Sequence, residues 1–199
     1  MIKAILFDLG GVLFTNGAKK FNHAIAARYN LDDDFVKSIS DGEIGTKYRE
    51  SKITRDEFWK YFLEKLNIKE DPDKLEKEWI SYYELIEGTR DIIFDLAKKY
   101  RVYYLSDNVK ERVDKLDERF GFLKWFTDGI FSHDVGVRKP DPKIYEFALR
   151  KASVLPEEVV FIDDKESSLI PARKLGVTAI LFVSPEQLRN DLTNLGVLS

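Results

Sequence analysis

Ile2-Lys3-Ala4-Ile5-Leu6-Phe7-Asp8-Leu9-Gly10-Gly11-Val12 opens the chain with a short apolar run that ends on a carboxylate and a glycine pair. Apart from Lys3, the run Ile2–Phe7 is continuous rather than alternating, the pattern of a strand covered on both faces. Four later segments read the same way: Val102–Leu105, Gly129–Ser132, Val159–Ile162 and Thr178–Val183. Helical spacing lies between them. Val109, Val113, Leu116 and Phe120 fall at i, i+4, i+7 and i+11, and Ile144, Phe147 and Ala148 repeat the habit. Strands alternating with helices predict an α/β fold with a parallel sheet covered on both faces.

Residues 15–86 interrupt that alternation. They hold no convincing strand but two amphipathic stripes, Trp59-Phe62-Leu63-Leu66 and Leu75-Trp79-Tyr82-Tyr83-Ile86. Thr54 with Glu57 has capping-box spacing, and Asp71-Pro72 places an N-cap before a proline at the first helical position. The reading is a helical module inserted after the first strand, with Glu87-Gly88-Thr89 as its exit. Two units follow: a core of residues 1–14 and 87–199, and a helical unit of residues 15–86. The aromatics of the stripes are expected to be mainly the module's own core. In the core unit, Asp141-Pro142 and Ser184-Pro185 with Gln187 start helices. Pro171 is compatible with a helix that begins near Ser168, and Gly176 would end it.

At 199 residues, 44% hydrophobic and 34% charged, the chain can bury a real core and is not disordered. With 32 basic against 35 acidic residues the net charge is −3, which gives no footprint for nucleic acid or an anionic membrane. Basic residues interleaved with acids, as in Lys110-Glu111-Arg112, read as solvated helix faces. There is no cysteine, so disulfides, thiolate nucleophiles and Cys-held metals are excluded. The amino terminus runs straight into a strand without signal-peptide layout, and no apolar run is of membrane-spanning length. A cytoplasmic monomer or homodimer is expected. His23 and His133 lack any metal-ligand spacing and read as structural or exposed.

The chemistry gathers at the predicted strand ends, where open α/β sheets bind ligands. Asp8 ends the first strand, Ser106-Asp107-Asn108 follows the second, Lys139 comes after the third and Asp163-Asp164 follow the fourth. Two prolines around Asp141 should hold the Lys139 segment extended. Each residue alone reads as a cap, a turn or a surface charge. Together they supply hard oxygen ligands for Mg²⁺ and donors for phosphate oxygens.

These motifs, Phe7-Asp8-Leu9-Gly10-Gly11-Val12, Leu105-Ser106-Asp107-Asn108, Arg138-Lys139-Pro140-Asp141-Pro142-Lys143-Ile144-Tyr145 and Phe161-Ile162-Asp163-Asp164, resemble those of the haloacid dehalogenase-like hydrolases. The resemblance spans essentially the whole chain. It implies a doubly wound, Rossmann-like sheet with a small α-helical cap inserted after the first motif. It implies Asp8 as a nucleophile that forms an aspartyl-phosphate, and Ser106, with backbone amides near Asp107, as the phosphoryl-binding group. Lys139 would neutralise charge between phosphate and Asp8. Mg²⁺ would be held by Asp8, the carbonyl of Gly10 and Asp164, with Asp163 as a second ligand or acting through water. The implied substrate is a small phosphorylated metabolite.

One position departs from the pattern. Phosphatases of the family carry a second Asp two residues after the nucleophile, as acid and base; here it is Gly10. General acid–base help is worth about 10²–10⁴-fold. Either the leaving group needs little help, or another residue, for instance from the cap, substitutes, or turnover is residual and the protein binds phosphate in a regulatory role. The family's metal-independent 2-haloacid dehalogenases also lack that Asp, but the paired acids Asp163-Asp164 look more like the metal-using branch.

Overall fold

The computed structural model describes residues 1–198. Strands β1 (Ala4–Phe7), β2 (Arg101–Ser106), β3 (Asp128–Phe131), β4 (Val159–Asp163) and β5 (Thr178–Leu181) form one sheet in the order β3-β2-β1-β4-β5. Each neighbouring pair is parallel. The order reverses at β1, so the carboxyl ends of β2, β1 and β4 lie side by side at the switch point.

Alternate residues of β1 serve opposite faces, as strand geometry dictates. Ile5 and Phe7 join one apolar cluster with Ile93, Val113 and Leu188, whereas Ala4 and Leu6 join another with Ile144, Ala148 and Leu169. The first face is covered by α6 (Glu87–Ala97), α7 (Lys110–Phe120) and α11 (Pro185–Asn194). The second is covered by α9 (Pro142–Ala152) and α10 (Glu166–Lys174), with the short α8 (Ser132–Val135) at the end of β3. The continuous apolar runs of the sequence are therefore strands buried on both sides. Their ends differ slightly from expectation: Ile2 and Lys3 precede β1, Ser132 begins α8, and β5 stops at Leu181.

Between β1 and α6 the chain forms α1 (Gly17–Tyr29), α2 (Asp33–Ser40), α3 (Glu43–Arg49), α4 (Arg55–Leu66) and α5 (Pro72–Ser81). Asn16, Asp32, Thr54 and Asp71 cap four of them with side-chain oxygens, and the Thr54–Glu57 capping box is complete. Phe21, Trp59, Phe62 and Trp79 are fully buried among these helices, with Phe21 stacked on Trp79 at 4.4 Å between ring centroids. They belong to the same continuous apolar cluster as Ile5 and Phe7. The chain leaves the sheet and returns to it in contact with itself. Thr15 N donates to Glu84 O (2.8 Å), Ile86 N donates to Leu13 O (2.8 Å), and Phe14 bridges to Leu85.

Four local expectations are corrected. The second stripe is not one helix: α5 ends at Ser81, leaving Tyr82, Tyr83 and Ile86 in the connection to α6. Helix α10 begins at Glu166 rather than near Ser168, so Pro171 lies inside it. The carbonyl that loses its donor is that of exposed Ser167, where water can serve. The Lys139 segment is a turn, not an extended stretch: Asp141 N donates to Arg138 O (2.9 Å) and the Lys139–Pro140 peptide is cis. Arg112 is not on a solvated face. It is 2% exposed, because it sits one turn from Val109 and Leu116 on the buried side of α7.

Candidate active site

Asp8 lies one residue past the Phe7↔Ile162 pairing, and its N–H donates to Ile162 O at 2.8 Å. That register sets it beside Asp163, the last residue of β4. Its carboxylate accepts from Leu9 N (2.8 Å) and pairs with Lys139 Nζ (2.9 Å). The same ammonium donates to Asp163 Oδ2 at 2.6 Å, and Asp163 Oδ1 takes the N–H of Lys165 (2.8 Å). Asp107 holds the turn: its carboxylate accepts from Lys139 N (3.0 Å) and Arg138 Nε (3.4 Å). Ser106 is buried at the end of β2.

Asp8, Asp163 and Asp164 each bring a carboxylate oxygen to within 4.8 Å of the others. Three carboxylates gather near one ammonium in a site where all but Asp164 are buried. Burial pushes the Asp163 carboxyl up to about 7, Lys139 opposing the rise and Asp8 adding to it. Asp164 is raised for the same reasons, burial first and then repulsion from Asp8. Burial alone would lower the Lys139 ammonium, but Asp163, Asp8 and Asp107 outweigh it and hold its pKa above that of an ordinary lysine.

The residues fit a divalent cation. Asp164 Oδ1 is buried and has no hydrogen-bond partner, a state that costs about 1–3 kcal/mol or more unless something satisfies it. Gly11 makes room for that carboxylate: its φ is +96°, and a Cβ there would overlap the Asp164 side chain. The donors are hard oxygens, the set that suits Mg²⁺. The Gly10 carbonyl accepts no backbone hydrogen bond in its loop, where Leu9 O and Phe14 O take the N–H groups.

A cavity of about 570 Å³ opens above Asp8 and is lined by Ser106, Asp107 and Lys139 together with residues of the helical segment. Sequence reading missed several of these. Arg49 and Arg138 both pair with Asp41 (3.2 and 3.0 Å), which ties α2 and α3 to the Lys139 turn. Arg112 Nε donates to Glu76 of α5 at 3.0 Å, with Nη2 2.8 Å from the same oxygen and the guanidinium 3.9 Å above Trp79. Glu76 also accepts from Trp59 Nε1 (3.1 Å). A signal existed for this pair, since Arg112 and Glu76 each interrupt an apolar stripe. Asn22 and Tyr83 also line the cavity. His23 is exposed beside Asp33, and His133 donates through Nδ1 to Asn108 O (2.8 Å), so neither reaches the site.

A haloacid dehalogenase-like hydrolase family profile matches residues 2–176. The chain belongs to the haloacid dehalogenase-like hydrolases. Among relatives, D-ribitol-5-phosphate phosphatase of Bacteroides thetaiotaomicron is 25% identical over 201 residues, covering 97% of this chain and 98% of its own. A HAD-like hydrolase from Porphyromonas gingivalis superposes with a TM-score of 0.81 at 20% identity, covering 98% of both chains. A HAD enzyme from Bacteroides thetaiotaomicron, solved with magnesium and inorganic phosphate, superposes with a TM-score of 0.73 at 24% identity over 92% of this chain and 96% of its own. The α/β sheet of this hydrolase is thus the family's fold. No helix among the described residues is long and apolar enough to cross a membrane.

Proposed function

We propose that this hydrolase is a Mg²⁺-dependent phosphatase of small-molecule phosphate monoesters, working through an aspartyl-phosphate on Asp8. The observation that carries it is the cluster of Asp8, Asp163 and Asp164, with Lys139 paired to the first two; Asp8 and Lys139 line a cavity wide enough for a metabolite. Relatives named for hydrolysis of phosphorylated small molecules support it. Residues 15–86 act as the cap over a core of residues 1–14 and 87–199.

Asp8, the Gly10 carbonyl and Asp164 would hold the cation, with Asp163 at one remove because both its oxygens are engaged by Lys139 and Lys165. When bound, the cation supplies positive charge against the phosphoryl oxygens. Ser106 and the amides near Asp107 receive the phosphoryl group, and Lys139 lets an anionic nucleophile meet an anionic ester. The Asp8 carboxylate attacks phosphorus, the ester P–O bond breaks, and water then cleaves the aspartyl-phosphate to return Asp8 and phosphate.

The test is phosphate release from a metabolite panel with Mg²⁺ and with chelator, beside Asp8→Asn. Equal turnover in Asp8→Asn, or turnover indifferent to chelator, defeats the proposal. Chloride release from 2-chloropropionate in chelator would instead mark a metal-independent dehalogenase.

A further inference from the structure

Cleavage of an alkyl phosphate leaves an alkoxide that must take up a proton, and the groups around Asp8 are poorly placed to give one. Asp8 is committed to phosphorus. Lys139 is shared between two carboxylates, and Asp163 is engaged by Lys139 and Lys165. Asp164 sits in the candidate cation cluster, and Gly10 has no side chain. Of the protic side chains that line the cavity, Tyr83 is the one that stands within 4 Å of where a Cβ on Gly10 would be, among the described residues.

Tyr83 lines the cavity and is 6% exposed, yet its hydroxyl makes no hydrogen bond among the described residues. That hydroxyl is not fully enclosed. The ring is fixed. One edge lies flat against Gly17, where any Cβ would overlap it. The backbone is pinned by Tyr83 N donating to Ile80 O (3.1 Å) and by Arg119 Nη1 donating to Tyr83 O (3.3 Å). The other edge faces the nucleophile loop: Tyr83 Cε1 is 3.8 Å from where a Cβ on Gly10 would stand. The buried guanidiniums of Arg112 and Arg49 are close enough to interact electrostatically with the phenol.

We infer that Tyr83 is the proton donor to the leaving group, reaching from the connection between α5 and α6 to the space that the missing side chain at position 10 leaves open. The inference rests on the phosphatase reading. In the first step the Asp8 Oδ–P bond forms, the ester P–O bond breaks, and the Tyr83 hydroxyl proton passes to the departing oxygen. In the second, water attacks phosphorus, its proton returns to the Tyr83 phenolate, and the P–O bond to Asp8 breaks. Protons and charge balance over the cycle. A phenol is a donor at neutral pH, and proton transfer by a positioned group contributes about 10²–10⁴-fold.

The experiment compares wild type, Tyr83→Phe and Tyr83→Phe/Gly10→Asp on the best alkyl phosphate of the panel and on 4-nitrophenyl phosphate, whose leaving group needs no proton. Tyr83→Phe keeps the ring against Gly17 and removes only an unbonded hydroxyl, and thermal melting checks that the fold persists. The expected result is a fall of about 100-fold or more in the ratio of alkyl to nitrophenyl kcat. A structural role for the ring would not move this ratio. Partial recovery of the ratio in the double variant is expected too, since a Cβ at position 10 meets Tyr83 only at ordinary contact distance. An unchanged ratio, or an equal loss on both esters that Gly10→Asp does not mend, overturns the assignment while leaving the phosphatase intact. Wild type that hydrolyses no phosphate ester overturns the phosphatase reading and this inference with it.

Discussion

Replacing Glu76 by Gln tests how the helices are held over the sheet. The change keeps the side chain's size and leaves an oxygen to accept from Trp59 Nε1, but it removes the only full charge among the described residues that meets Arg112 at contact distance. The side chains of Arg112 and Glu76 are 2% and 8% exposed, so solvent does little to screen the loss. At an effective dielectric of about 20 such a pair is worth about 4 kcal/mol, and stripping one partner from a buried pair costs about 3–5 kcal/mol. For a chain of this size that lowers Tm by roughly 6–20 °C. Urea unfolding followed by tryptophan fluorescence, with a thermal melt alongside, measures it. Glu76→Gln with Arg112→Met should recover part of that loss, because no unpaired charge stays buried and the Gln oxygen still accepts from Trp59 Nε1. A loss below about 1 kcal/mol in Glu76→Gln, or a double variant weaker than the single, would refute the reasoning.

Two other outcomes follow from the site. Saturating Mg²⁺, at about 100-fold over its Kd, should raise stability by about 2.7 kcal/mol, visible as a Tm increase of roughly 5–10 °C; in Asp164→Asn that increase should shrink or vanish, and an unaltered increase would remove Asp164 from the ligand set. Burial would raise the Asp41 carboxyl, but Arg49 and Arg138 outweigh it and hold the pKa below the ordinary value. Its stabilisation is therefore full above about pH 4 and lost as pH falls through the lowered value. Asp41→Asn should cost on the order of 1 kcal/mol at pH 7, with the partly exposed side chain discounted, and should flatten the acid limb of stability measured by urea unfolding from pH 3 to 7.

The sheet was legible because its strands are buried on both faces, so Ile5, Leu6, Val160 and Phe161 form unbroken apolar runs that stop at the residues now clustered. Caps were legible because they are local: Thr54 meets Glu57 within one turn. What escaped is non-local. Arg112 finds Glu76 from 36 residues away on another helix, and charge patterning along α7 alone suggests solvent. Tyr83 continued a plausible helical stripe, but α5 ended first and the ring turned to the nucleophile loop. The Lys139 turn is closed by Asp107, and no rule confined to the residues around the prolines sees that carboxylate.

The double crossing at Leu13–Thr15 and Glu84–Ile86, the Glu76–Arg112 pair and the Arg138–Asp41 pair fasten the helices to the sheet at three separate places. Most exposed members of the cavity lining gather elsewhere, at Lys19, Asp33, Asp34 and Lys37 on α1 and α2 and at Lys165 and Ser167 at the start of α10. That is the doorway. Its threshold carries both signs of charge, and on the phosphatase reading an anionic guest would pass beside α2 without any of the three clasps having to open.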